Sequence, residues 1–363
     1  MRIVSRTAVS LIVMVSLTAC QMLPEQWPGS QWFNGRSRPP AKPGPIAASR
    51  FALAPGDDVI GQVQVVIARH EDTLPDLARR FNLGYEEIVA ANPGVDPWLP
   101  GAGTRIVLPT QFVLPDAPRE GIVLNLATLR LFYFLPAGAD QPQTVITHPV
   151  GIGRVGWATP TGTTRIVSKA ANPTWHVPES IRREHAERGD PLPATVPPGP
   201  DNPLGSHALR LALPGYLLHG TNKPYGVGMR VSHGCIRLYP EDVAALYQQV
   251  PVDTPVHIVN QPMLAGWRGG MLYLEAHPPL EDDRSDWQDR LSGLLIGEAT
   301  RAAADGQAID WERAARLAGE PHGLPLPVLA GAPDRQAVLA QARVVDNVAP
   351  PAADYPPAAP NLL

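Results

Sequence analysis

The chain has 363 residues, a formal net charge of −4 at neutral pH, 44% apolar residues and 18% charged residues. Such a length suits two modest domains with tails, and without a basic excess there is no electrostatic footprint for a nucleic-acid partner. The 43 prolines argue against long helical bundles and for short strands joined by extended connections.

In chain order, the first expected element is an export signal at residues 1–20, MRIVSRTAVSLIVMVSLTAC. Arg2 and Arg6 form a positive n-region, and Ala8 to Leu17 is a mostly apolar stretch too short to span a bilayer comfortably. It ends in Leu17-Thr18-Ala19-Cys20, which resembles the lipobox of bacterial lipoproteins. That resemblance implies a lipidated Cys20 and attachment to a membrane, the outer one in a Gram-negative host. Several acyl chains together would anchor the protein stably. Residues 21–60 are rich in Pro, Gly and Ser without helical or strand period, and are expected to form a tether.

Residues 61–110 read as a compact βααβ unit. "VQVVIAR" alternates like a strand, Leu74, Leu77, Ala78 and Phe81 have helical spacing, Ile88, Val89 and Ala91 mark a second helix, and "TRIVLP" closes as a strand. The order, with "EDTLPDLARRF", "ANP" and "GTRIVLP", resembles a LysM domain, although Glu71 stands where that family usually has Gly. The resemblance implies binding to N-acetylglucosamine-containing glycan strands such as peptidoglycan.

A second, mainly β domain is expected over residues 120–260, so the fold class is α+β. "GIVLNLATLRLFYFL", "TVITHPVGIG" and "HALRLALPGYLLHGT" each supply strands, and "TPVHIVN" closes the set. "YPEDVAALYQQV" starts a helix at Pro240, with acidic residues in its first turn. Residues 261–345 are expected to form a hairpin, "GWRGGMLYLEAHPPL", and helix-like segments around 285–318. Residues 346–363 are expected to be a disordered Pro/Ala-rich tail.

The chemistry concentrates in "LHGTN" at 218–222 and "RVSHGCIRLYPEDV" at 230–243. If Cys20 is consumed by lipid, Cys235 has no disulfide partner in the chain. A solitary thiol in an exported protein is either buried and inert or kept for chemistry. A thiol becomes a useful nucleophile beside a base, and His219 and His233 are both candidates. Gly234 permits tight backbone geometry, and N–H groups around Cys235 are candidates for an oxyanion hole. Arg237 suits either a substrate carboxylate or a structural ion pair. One usable cysteine without CxxC or HxxxH spacing disfavours a zinc site, so neither metal nor cofactor is expected.

Together with "PPGPDNPLGSHALRL" and "TPTG" upstream, "HGTN…GVGMRVSHGCIRLYPEDV" resembles the L,D-transpeptidase (YkuD-like) catalytic domain over roughly residues 120–260. The resemblance implies that Cys235 is the nucleophile and His219 the general base and acid. It also implies that the Gly220 carbonyl orients the imidazole. His233 and Gly234 fall in the motif around the nucleophile, and Arg237, Ser232 and Asn222 are substrate-binding candidates. The implied substrates are peptidoglycan stem peptides, cleaved between diaminopimelate and terminal D-alanine through a thioester. The implied acceptor is an amine of another stem, of an outer-membrane lipoprotein or of a barrel protein, with water or a D-amino acid giving trimming or exchange instead. The loop 222–230 and the Pro-rich stretch 189–203 are expected to wall the acceptor channel. Two other readings stay open: a non-catalytic LysM glycan-binding lipoprotein, and a cysteine peptidase or amidase that hydrolyses stems.

Overall fold

The computed structural model describes residues 49–136, 142–283 and 286–348. The expected signal peptide, Cys20, most of the tether and all but residues 346–348 of the tail lie outside them.

The first elements are strands β1 (Arg50–Leu53), β2 (Val59–Gly61) and β3 (Gln64–Ile67), helices α1 (Leu74–Arg80) and α2 (Tyr85–Ala91), then β4 (Arg105–Leu108) and β5 (Gln111–Val113). β3-α1-α2-β4 is the expected βααβ order. Thr73 caps α1 by accepting the Asp76 N–H at 3.2 Å, and Pro75 occupies the first turn, where a missing N–H costs nothing.

The strand-rich region follows with β6 (Gly121–Asn125), β7 (Arg130–Phe134), β8 (Gln143–Pro149), β9 (Ile152–Gly153), β10 (Gly162–Ala171) and β11 (Trp175–His176). Helix α3 (Glu179–Glu187), β12 (Thr195–Val196), β13 (His207–Leu211), β14 (Leu217–His219), β15 (Arg230–Ser232), β16 (Ile236–Arg237), helix α4 (Pro240–Gln249) and β17 (Pro255–Val259) complete it. α4 starts at Pro240, with Glu241 and Asp242 in its first turn, as its sequence predicts.

A nine-stranded sheet runs β1-β8-β7-β6-β17-β10-β13-β14-β16. The pairing is antiparallel except at β6–β17 and β14–β16. Residues 50–53, expected within the tether, are therefore an ordered edge strand paired with β8. The physical reason is burial: Leu53 joins an apolar core on which Phe51 also packs.

β6 and β7 are nearly all buried rather than alternating, because both faces of the sheet are covered. Ile122, Leu124, Leu131 and Tyr133 face a core completed by α4 residues Val243 and Leu246. Val123, Phe132 and Phe134 face the other way, into a core shared with Leu74, Leu77, Ile88, Ile106 and Leu108 of the βααβ unit. The unit is thus packed against the sheet.

Beyond β17 come the hairpin β18 (Met263–Arg268) and β19 (Met271–Ala276), helices α5 (Trp287–Ala304) and α6 (Trp311–Gly319), and β20 (Leu326–Pro327), which adds to the hairpin. Helix α7 (Arg335–Gln341) leads to β21 (Arg343–Val345), which pairs in parallel with β3. The late strand therefore extends the sheet of the early unit.

Candidate active site

β14 and β16 lie side by side in parallel, with Leu218 opposite Ile236 and His219 opposite Arg237. Leu218 and Ile236 both enter the core. Alternation along a strand then sends Cys235, His219 and Arg237 to the other face together. Cys235 sits just before β16 at the end of a tight turn. The Ser232 hydroxyl spans that turn, accepting the Gly234 N–H at 3.1 Å and donating to the Cys235 carbonyl at 2.6 Å. Gly234 has φ +102°, and a Cβ there would lie 2.9 Å from Tyr216 Cε1, so both dihedral and space require glycine. Thr159 anchors the turn from outside by donating to the Gly234 carbonyl at 2.8 Å while accepting the Gly153 N–H at 3.1 Å.

His219 is 3% exposed. Its Nδ1 is 2.6 Å from the Gly220 carbonyl, which can only accept, so Nδ1 carries the hydrogen and Nε2 keeps its lone pair. Burial, reinforced by the charge of Arg237, lowers the imidazole pKa to about 3. The ring is therefore neutral at pH 7, ready to accept a proton. Burial pushes the Cys235 thiol up, opposed by a backbone hydrogen bond with Leu217 and by the Arg237 charge. Cys235 Sγ also lies 3.5 Å from the Gly215 carbonyl. At pH 7 the thiol and the imidazole are both uncharged, and the Arg237 charge acts on each of them.

Among the described residues Cys235 is a free cysteine. The Arg237 Nε is buried without a hydrogen-bond partner, an unspent donor at the site. Asn222, by contrast, is exposed in the loop between β14 and β15.

His233 is held differently from the other motif residues. Its Nε2 lies 3.1 Å from Glu184 Oε2 and 3.1 Å from Arg154 Nη2, and Trp157 packs edge-on against the ring at 4.9 Å. Burial lowers the His233 pKa, with Glu184 opposing and Arg154 adding to it. Burial works to raise Glu184, but the hydrogen bond and charge of Arg154, with His233 and Arg188, outweigh it and hold the carboxyl low. Glu184 comes from α3. Neither Glu184 nor Arg154 has a sequence signature, because their role exists only where α3 meets the turn after β9. Thr159 does lie within the quoted "TPTG", but that segment alone assigns it no contact.

A cavity of about 380 Å³ lies beside this turn. It shares Gly153 and Thr159 with it and is also lined by Arg230, Leu280, Asp282 and Arg290. Of the expected channel walls, only Arg230 at the edge of the 222–230 loop lines this cavity, and no residue of 189–203 does.

The buried imidazole carries a stability consequence. An unfolded histidine takes up a proton near pH 6.5, whereas the folded ring stays neutral down to about pH 3. This site therefore costs nothing above pH 6.5 and destabilises progressively as pH falls below it. Between pH 6.5 and 5, wild-type protein is expected to lose about 2 kcal/mol that a His219→Gln variant keeps. Urea unfolding of both at the two pH values checks this; parallel curves would contradict it.

The sequence profile of the L,D-transpeptidase catalytic domain (YkuD) matches residues 119–258. A probable L,D-transpeptidase of Escherichia coli K12, YcfS, is 40% identical over 291 residues, which is 78% of this chain and 89% of that one. ErfK/SrfK from the same organism is 38% identical over 290 residues, covering 78% and 92% of the two chains. YbiS, also from that strain, is 42% identical over 237 residues, covering 64% and 76%. With this extent of similarity, and with a thiol and a buried imidazole on neighbouring strands, the chain belongs to the L,D-transpeptidase family.

Proposed function

We propose that this protein is a peptidoglycan L,D-transpeptidase that uses Cys235 as nucleophile and His219 as general base and acid. The observation that carries the reading is the parallel β14–β16 register, which puts both side chains on one face, with His219 Nδ1 tied to the Gly220 carbonyl.

His219 Nε2 takes the thiol proton as Sγ attacks the carbonyl carbon between diaminopimelate and terminal D-alanine in a tetrapeptide stem. Arg237 favours the thiolate at that moment. The oxyanion forms beside the N–H groups of the Gly234–Cys235 turn; one such donor is worth about 100- to 1000-fold in rate. The carbon–nitrogen bond then breaks, protonated imidazolium gives its proton to the departing D-alanine amine, and a thioester remains. An acceptor amine attacks the thioester carbonyl, His219 removes its proton, and Sγ leaves as the thiolate, which regains its proton from the imidazolium. The bond energy held in the thioester carries the second step without ATP.

The buried, unpaired Nε of Arg237 supports a role in holding a substrate carboxylate. Ser232 acts by shaping the turn. His233 Nε2 donates to Glu184, which Arg154 also grips, and this supports a role in fixing the motif rather than in moving protons. We read residues 61–110 as a LysM domain that binds glycan strands, supported by the βααβ order. Cys20 is read as a lipid-anchored residue, which locates the enzyme in the periplasm. The acceptor is a stem diaminopimelate or the amine of an envelope protein, giving a 3→3 crosslink or an anchored protein.

Profiling the products from purified tetrapeptide muropeptides, with and without a candidate protein acceptor, tests the reading. Dimers or protein adducts with release of D-alanine are expected, and free tripeptide stems alone would favour a peptidase. A carbapenem is expected to leave a covalent adduct on Cys235 by intact-protein mass spectrometry. Its absence would count against the nucleophile.

A further inference from the structure

The loop from Gly220 to Met229 joins β14, which carries His219, to β15, which leads into the Cys235 turn, and its far side rests on the first turn of α2. The first N–H groups of a helix have no partner inside it. In α2 they are taken up in two directions. The Gly84 N–H goes to Glu87 Oε2 at 2.6 Å, closing the turn on itself. The Tyr85 N–H donates to the Val227 carbonyl and the Glu86 N–H to the Gly228 carbonyl, each at 3.2 Å. Val227 and Gly228 are both buried by this contact.

The fit admits no side chain on either side. A Cβ on Gly84 would lie 2.6 Å from Gly228 Cα, and a Cβ on Gly228 would lie 2.3 Å from Gly84 Cα. Gly228 has φ +79°, so its glycine also serves the dihedral. Gly84 has φ −86°, which any residue adopts, so its glycine answers only to the contact.

The contact is fixed from behind and connected ahead. Glu87, which closes the Gly84 turn, is gripped by Arg130 of β7. Next along the loop, the Met229 carbonyl accepts the Ile152 N–H at 3.0 Å. Strand β15 then delivers Ser232 to the Cys235 turn. From the other side, Tyr239, just past the nucleophile's strand, donates its hydroxyl to the Leu83 carbonyl at 3.1 Å. The segments flanking Cys235 are thus both attached to the same turn, Leu83 to Glu86.

We propose that this first turn of α2 is a positioning element of the active site, with Gly84 and Gly228 as positioning residues that hold the loop between His219 and Cys235. The βααβ unit then acts on the chemistry itself, in addition to whatever it binds. Displacing the turn moves the backbone that sets the thiol, so the effect is expected to fall on acylation and kcat more than on KM for the donor.

Resting as it does on Cys235 and His219 being the reacting pair, the positioning role is tested in the full chain by two readouts. One is the rate of carbapenem acylation of Cys235 by intact mass; the other is kcat and KM on a soluble disaccharide-tetrapeptide donor too short to need glycan docking. Gly84→Ala is expected to slow acylation and kcat at least 10-fold, with KM within about 3-fold of wild type. Gly94→Ala is the control, since Gly94 also lies in the βααβ unit with φ +82° but has nothing near its added Cβ. It strains the unit without touching the loop and is expected to acylate at the wild-type rate. Tyr239→Phe, which removes the bond to Leu83 without adding bulk, is expected to slow acylation about 3-fold and decides the matter should Gly84→Ala not fold. A folded Gly84→Ala protein that acylates like wild type overturns the proposal, as does an unchanged Tyr239→Phe when it stands alone. Wild-type protein that fails to acylate at all would instead refute the catalytic pair.

Discussion

Replacing Cys235 by alanine is expected to lower acyl transfer by at least about 10⁴-fold while leaving the fold intact. The thiol is small and weakly held: it lies 3.5 Å from the Gly215 carbonyl and has a backbone hydrogen bond with Leu217. The backbone turn that presents it is held by Ser232, Gly234 and Thr159, none of which alanine at 235 disturbs. Melting temperature and glycan binding should therefore match wild type, while D-alanine release from tetrapeptide muropeptides disappears. Undiminished release by a verified Cys235→Ala protein would remove Cys235 from the mechanism. His219→Ala is expected to fall short of this loss, by about 10²- to 10⁴-fold, because it removes the proton acceptor and leaves the nucleophile.

The largest expected effect on stability lies at the other face of the sheet. Arg130 and Glu87 are 1% and 6% exposed and form a two-pronged pair, Nε to Oε1 at 2.6 Å and Nη2 to Oε2 at 2.8 Å. The guanidinium also donates to the Asn82 carbonyl and Thr147 Oγ1, and stacks over Phe112 at 4.0 Å. Removing one partner leaves a buried charge uncompensated, which typically costs about 3–5 kcal/mol. Glu87→Leu is expected to lose that much in urea unfolding. The double variant Glu87→Leu/Arg130→Met, which leaves no lone charge, is expected to recover most of it. Equal losses in the single and double variants would mean that packing, not charge, dominates at this position.

Several elements were legible as sequence because their causes are local. Pro240 with Glu241 and Asp242 behind it starts α4 wherever the chain folds, since the proline lacks only an N–H that a helix start does not use. The helical spacing of Leu74, Leu77 and Ala78 marks α1 just as locally. Cys235, His219 and Gly220 could be named from their motifs, and the β14–β16 register then turns the Cys235 and His219 side chains to one face. Elsewhere the local signal misled. Residues 50–53 have the composition of a linker, yet they complete the edge of the main sheet because Phe51 and Leu53 find an apolar core there.

Sequence alone was enough to mark the candidate chemistry: a cysteine within a His-Gly-Cys run, a histidine before glycine, a glycine where the turn must bend, and the helix start that follows. These follow from residue type and short spacing. The tertiary structure alone decided how that chemistry is held. His233 is bound to Glu184, which Arg154 also pairs, Arg130 reaches across to Glu87, and the turn at Gly84 carries the loop at Gly228. Each joins segments far apart in the chain, and each depends on burial or on a close backbone approach. Those quantities arise only when the two faces of one sheet are covered by different parts of the same polypeptide.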